Sequence, residues 1–347
     1  MVLFDRYTQR RNIMNKPNIF NYATSELSQD AIICYILEWA KLENKAFDEN
    51  LHTLAINFLN SLFEKFKDID IPKEYQKIEI IKQYENIDIL CIINDEYSII
   101  IEYKTNTKNH SDQLKRYFDK VSKNFSKTKI LPIYFKTGDQ SNYKNVKENG
   151  YKIYLRKDFL NILTSIKYSN DIIENYTDYL QNIEDGINSY KTKPINTWSW
   201  NAWKGFYMEL QEKLKDGNWD YVSNRQGGFL GFWWNWDLKE TYHVYLQIET
   251  NWQNDKYVGK IKIKLYSDNN EKVKKDIVHK WKHHILHDEN HIKIIKPRVV
   301  RTGKSVSIGI LDNEFRKTDK DGIIDIDKTI EFIHKIEEIK LNKYTYV

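Results

Sequence analysis

Glu102 and Lys104 stand out in the stretch "IIIEYKTNTKNHSDQLKRY" (99–117), because they follow an apolar β-branched run. Side chains alternate across a strand, so the carboxylate and the ammonium share one face while Tyr103 points to the other. The preceding apolar run, "NIDILCIIND" (86–95), carries Asp88. If "NDE" (94–96) is a three-residue turn, Asp88 stands opposite Glu102 on that same face. A two-residue turn at Asp95-Glu96 would instead pair Asp88 with Tyr103 and part the carboxylates. Two carboxylates on adjacent strands suit a hard divalent cation, Mg²⁺ or Mn²⁺, which takes them together with water and phosphate oxygens. A lysine two residues on would stand beside a water polarised by the cation, orienting or deprotonating it and balancing phosphate charge. The plainer reading of an isolated D…ExK spacing is a salt bridge at a sheet edge.

Two further features favour the chemical reading. "SDQLKRY" (111–117) sets Gln113 and Tyr117 four residues apart on one helix face, within reach of the same site or of a substrate phosphate. Upstream, Glu26 opens a helix beside Ser28, Gln29 and Asp30. Acids are favoured at the positive end of a helix dipole, which accounts well for Asp30 and less well for Glu26.

The elements that must position these groups follow from periodicity. "SELSQDAIICYILEWAKLE" (25–43) has helical spacing, with Ser25 or Thr24 as N-cap. "ENLHTLAINFLNSLFEKFK" (49–67) carries one continuous apolar stripe from Leu51 to Phe66. After Pro72 the period changes to that of three successive strands, then a helix at about 111–124, strands at 129–136 and 151–157, and further helix in 158–186. The strands around Asp88 and Glu102 are apolar on both faces, as expected of a sheet covered by helices on both sides. The polar stretch "SYKTKPINTW" (189–198) predicts a boundary between domains at 1–190 and 195–347. The second half reads as α+β: a helix at 199–215, strands over 218–267, a helix at 271–287, a hairpin at 292–311 and a helix at 327–340.

"FNYATSELSQDAIICYILEWA", "NIDILCII" and "IIIEYKTNTKNHSDQLKRY" together resemble the PD-(D/E)xK, or restriction-endonuclease-like, nuclease superfamily over about residues 18–160. The nearest branch runs from an ELSQDA-type helix to ExK and QLxRY. The resemblance implies an α/β fold with a mixed sheet flanked by helices, in the order α-β-β-β-α-β, which periodicity also gives over 25–136. It implies that Asp88 and Glu102 bind the metal, that Lys104 and Glu26 join them in catalysis, and that Gln113 and Tyr117 position substrate. Ile87 stands where the family name has proline. The activity implied is Mg²⁺-dependent hydrolysis of DNA phosphodiester bonds in prokaryotic defence against foreign DNA, by a homodimer when both strands are cut. The 195–347 domain would bind substrate, sense a trigger or dimerise. Two alternatives stay open: a module that binds nucleic acid without cleaving it, and a regulatory protein activated by a partner.

Other patterns carry less. "RTGKS" (301–305) lacks the first glycine of a phosphate loop and reads as a hairpin turn, flanked by a basic ridge of Lys293, Lys296, Arg298, Arg301 and Lys304. His279, His283 and His287 share one face of an ordinary amphipathic helix without an HExxH pattern. "WSWNAWKGF" and "GGFLGFWWNW" suit core packing first and base stacking second. A net charge of +5 permits a polyanionic partner without requiring one. Cys34 and Cys91 lie in apolar runs, and no window is apolar enough for a membrane span, so a soluble cytoplasmic protein is expected.

Overall fold

Capping decides where the first helices begin. The Ser25 hydroxyl accepts the Ser28 amide at 3.2 Å and opens α1 (Glu26–Glu38). Asp48 accepts the amides of Asn50 and Leu51, each at 2.9 Å, and opens α2 (Glu49–Phe63). α1 stops short of the expected residue 43 because the Asn44 amide caps the Glu38 carbonyl at 2.7 Å, and Leu42–Ala46 form a 3₁₀ turn.

This computed structural model describes residues 17–108, 112–125, 128–224, 227–239, 242–267, 272–285, 288–289, 292–297 and 303–342. They divide into two compact units, residues 17–184 and 185–342. No helix among the described residues is long and apolar enough to cross a membrane.

The first unit is built on a five-stranded mixed sheet. β1 (Ile78–Tyr84), β2 (Ile87–Ile93) and β3 (Tyr97–Lys104) form an antiparallel meander. α3 (Gln113–Asn124) then crosses over to β4 (Lys129–Lys136), parallel to β3, and α4 (Lys144–Glu148) leads to β5 (Lys152–Leu155), parallel to β4. The last strand is shorter than expected. Its successor Arg156 begins α5 (Arg156–Leu163), because the Asp158 carboxylate accepts the Leu155 amide at 2.8 Å. α6 (Asp171–Asn188) follows, and the division between the units falls within it.

Helices cover both faces of this sheet, as the two-sided apolar strands require. One layer packs α1, α2, α5 and α6 on Ile89, Cys91, Ile99, Ile101 and Phe135. The other packs α3 and α4 on Leu90, Ile92, Ile100 and Tyr134. By alternation Asp88, Glu102 and Lys104 belong to the α3 side. The mixed α/β class is therefore that of the restriction-endonuclease-like expectation.

The second unit is an antiparallel sheet in the order β10-β11-β12-β9-β8-β7-β6. Its strands are β6 (Asn218–Val222), β7 (Phe229–Lys239), β8 (Tyr242–Gln253), β9 (Lys256–Ser267), β10 (Asp288–Glu289), β11 (Ile292–Ile295) and β12 (Ser305–Leu311). α7 (Trp200–Lys213), α8 (Lys275–Ile285) and α9 (Ile326–Asn342) pack their apolar sides on one face of it. Trp198, Trp203, Trp219, Trp234 and Trp281 are buried in that core, whereas Trp236 and Trp252 are exposed. Gly259 lets Trp203 approach, since a Cβ there would fall 2.4 Å from the indole ring. β11 and β12 form the expected antiparallel pair, but Arg298 and Arg301 of the basic ridge lie outside the described residues, as do His287 and the side chain of His283.

Candidate active site

The turn between β2 and β3 settles the register. It spans three residues, Asn94 to Glu96, between the paired Ile93 and Tyr97. Asn94 and Asp95 take positive φ, 53° and 56°, which these two residue types tolerate best after glycine. The Asn94 side chain also accepts the amides of Gln76 and Lys77, at 2.9 and 3.0 Å. Pairing then runs from Ile93↔Tyr97 to Ile89↔Ile101, and the next step sets Asp88 opposite Glu102. The two carboxylates share a face.

Lys104 is the hub of the cluster. Its buried ammonium donates to Glu102 Oε1 at 2.5 Å and to the Tyr103 carbonyl at 2.9 Å, and stands 3.7 Å from both Asp88 and Glu26. Asp88 is held in turn by the Tyr103 amide, which donates to its Oδ2 at 2.9 Å. Glu26 reaches the site from α1 and accepts the Thr105 amide at 3.1 Å and the Thr107 hydroxyl at 2.5 Å. The start of α1 is fixed against β3 because the Tyr103 hydroxyl donates to Gln29 at 3.4 Å, and the Gln29 amide donates to the Ala23 carbonyl at 2.8 Å.

α3 supplies the remaining pair. Gln113 Nε2 donates to Glu102 Oε1 at 2.7 Å and to the Tyr117 hydroxyl at 3.0 Å. Gln113 therefore orients the carboxylate directly, and Tyr117 joins the site through Gln113. All six side chains singled out from the sequence converge, Glu26, Asp88 and Glu102 on Lys104, Gln113 on Glu102, and Tyr117 on Gln113.

Electrostatics mark this as an expensive place for charge. Glu102 is fully buried, and burial together with the Asp88 carboxylate pushes its pKa up to about 8, an effect that Lys104 opposes without cancelling. Burial alone would lower Lys104, but Glu102, Asp88 and Glu26 hold its pKa above the ordinary lysine value, so it is an ammonium at neutral pH. Among the described residues Glu102 Oε2 accepts no hydrogen bond. Such a buried acceptor costs free energy unless a ligand satisfies it.

Two residues near the cluster were not singled out from the sequence. Asp30 lies one helical turn after Glu26 and is 1 % exposed, and among the described residues neither of its carboxylate oxygens has a hydrogen-bond partner. Burial, then the Asp88 charge, pushes its pKa up to about 7. The four-residue spacing from Glu26 was the available signal. Lys136 pairs with Lys104 across the parallel β3–β4 ladder and is also buried; its ammonium donates to the Thr107 carbonyl at 2.6 Å. No local pattern announces a partner on the far side of a crossover helix. Gly138 completes the frame, since a Cβ there would lie 2.0 Å from the Thr105 carbonyl oxygen.

Among the described residues no group of three or more His, Cys, Asp or Glu side chains is arranged to hold a metal ion unaided. The donors present are hard carboxylate oxygens, one of them orphaned. Two carboxylates are the number that Mg²⁺ commonly takes, with water and phosphate oxygens filling its other positions.

A family model described as the PD-(D/E)XK nuclease superfamily matches residues 17–193 of the chain. No curated protein and no solved structure matches it.

Proposed function

Because the chain belongs to the PD-(D/E)XK nuclease superfamily, we propose that its first unit hydrolyses phosphodiester bonds of DNA with the help of Mg²⁺ or Mn²⁺. The observation that carries this reading is the meeting of Asp88, Glu102 and Lys104 on one face at the end of β3. A charged trio on a sheet covered on both sides has no packing value, and a buried Glu102 oxygen unpartnered among the described residues suits a divalent cation.

Asp88 and Glu102 would hold the metal. When bound, it would supply Lewis-acid polarisation of the phosphate and of a water. The chain's own groups do the rest. Lys104, fixed by the Tyr103 carbonyl, presents a permanent positive charge to the phosphate and keeps its proton at neutral pH. Charge stabilisation and water orientation are the roles that this geometry gives it. Glu26 anchors the 105–107 segment and adds negative charge beside Lys104. Gln113 holds Glu102 in one orientation, and Tyr117 holds Gln113. A homodimer would bring two such sites to a duplex, and defence against foreign DNA is the setting that the family suggests.

Incubation of supercoiled plasmid and of single-stranded DNA with wild type and Lys104→Ala, in Mg²⁺ and then Mn²⁺, tests the assignment. Cleavage by wild type alone is expected. Equal cleavage by both proteins places the activity elsewhere and rejects it.

A further inference from the structure

A bulge in β7 turns one tryptophan away from the core. Trp234 pairs with Leu246, but pairing resumes at Asp237 opposite Val244, so Asn235 and Trp236 together face Tyr245. Asn235 takes φ 54° to allow this. Simple alternation would put Trp236 on the face of buried Trp234; the extra residue sends it to the opposite one. There its indole lies flat on Tyr245, with ring centroids 4.1 Å apart and planes 5° apart. Tyr266 and His243 meet it edge-on at 5.9 and 5.7 Å. Trp236 remains 38 % exposed.

Three lysines line the surrounding face, with Lys260 reaching the Asp312 carbonyl at 3.4 Å. Alternation along β9 lines up Lys260, Lys262 and Lys264 with Tyr266. Glu249 accepts from both Lys262 and Lys264, so one carboxylate is shared by two ammonium groups. Asp220 lies farther off, on the edge strand β6. The apolar cluster that holds α7, α8 and α9 lies on the other face of the sheet.

We propose that Trp236, backed by Tyr245, is a stacking platform for an unpaired base of single-stranded nucleic acid, whose phosphates run along Lys260, Lys262 and Lys264. A base on the exposed side of the indole would continue the existing stack, and every base offers a π-face for it. A duplex keeps its bases stacked inside and offers only their edges. The inference rests on the nuclease reading for its class of ligand, but its residues all belong to the second unit.

The test uses the full chain in EDTA, where no cleavage intervenes. Anisotropy of labelled oligothymidine and oligouridine of about 20 nucleotides, and of a duplex of the same length, measures binding. Single strands should bind better than duplex and more weakly as salt rises, and the DNA and RNA arms decide between the two sugars. Trp236→Ala should weaken binding roughly 5- to 100-fold, whereas Trp236→Phe should retain most of it. Photocrosslinking of wild type to an oligonucleotide bearing 5-iodouracil should label the peptide containing Trp236, a readout independent of how the variants fold. Unchanged affinity in Trp236→Ala, a preference for duplex, or crosslinks confined to other peptides overturns the inference. Lys104-dependent plasmid cleavage with Trp236-independent binding would reject the platform and keep the nuclease. Trp236-dependent binding without cleavage would do the reverse.

Discussion

Asp88 and Lys104 meet through the peptide of the residue between the two motif positions on β3. The Tyr103 amide donates to Asp88 at 2.9 Å, its carbonyl accepts from the Lys104 ammonium at 2.9 Å, and the two side chains stand 3.7 Å apart. The middle residue of the ExK triplet thus contributes backbone while its ring packs in the opposite layer. Sheet geometry, more than side-chain length, sets the spacing of the charged groups.

Gln113→Ala removes the amide that orients Glu102. One hydrogen bond to a buried group is worth about 1–3 kcal/mol, so cleavage should fall roughly tenfold while the melting curve moves little. Plasmid cleavage beside a thermal melt checks this, and wild-type activity in the variant would show that the contact is incidental.

The two elevated carboxyls give stability a definite pH slope. Unfolded Glu102 and Asp30 ionise at ordinary acidic values of 4.5 and 3.8, but folded they keep their protons up to about 8 and about 7. Folding takes up protons between those limits. The contribution is fully present at acid pH and is lost as pH rises through the folded values. In EDTA the melting temperature should therefore drop from about pH 5 to 8, and Glu102→Gln should flatten the slope. A flat wild-type profile would contradict the assigned shifts.

Adding Mg²⁺ at constant pH should release protons and raise the melting temperature, because bound carboxylates must be ionised. Proton release measured by calorimetry in buffers of different ionisation heat reads this without any substrate. Asp88→Asn should abolish the release.

Gly138→Ala probes the frame. Its Cβ would collide with the Thr105 carbonyl oxygen, whose residue also donates its amide to Glu26. A cost of about 1–3 kcal/mol is expected, with a loss of cleavage larger than the loss of folded protein.

Phe58→Ala probes the scaffold. The ring is fully buried among Phe135, Tyr154 and Phe159. Its truncation should cost about 3–5 kcal/mol by denaturant titration.

Local pattern carried most of the first unit. The alternation that isolates Glu102 and Lys104 also fixes their face, and the three-residue turn that the chemistry needs is the one that Asn94 and Asp95 form. Asp30 escaped because an acid early in a helix has an ordinary explanation; only its burial without a partner sets it apart. Lys136 escaped because its neighbour across the ladder lies beyond the crossover helix α3. Trp236 departs from the core packing expected of "GGFLGFWWNW" because a bulge turns it outward, and one extra residue in a strand leaves no mark on composition. Helix ends at Glu38 and Leu163 depended on side chains elsewhere in the chain or on caps that periodicity does not encode.

The three-residue turn from Asn94 to Glu96 has a genetic consequence. A single in-frame codon gained or lost there would slip β2 by one position and carry Asp88 to the far side of the sheet. Every letter of the motif would survive in the gene. Inheritance of this site therefore depends on the length of a turn as much as on the residues that a motif names.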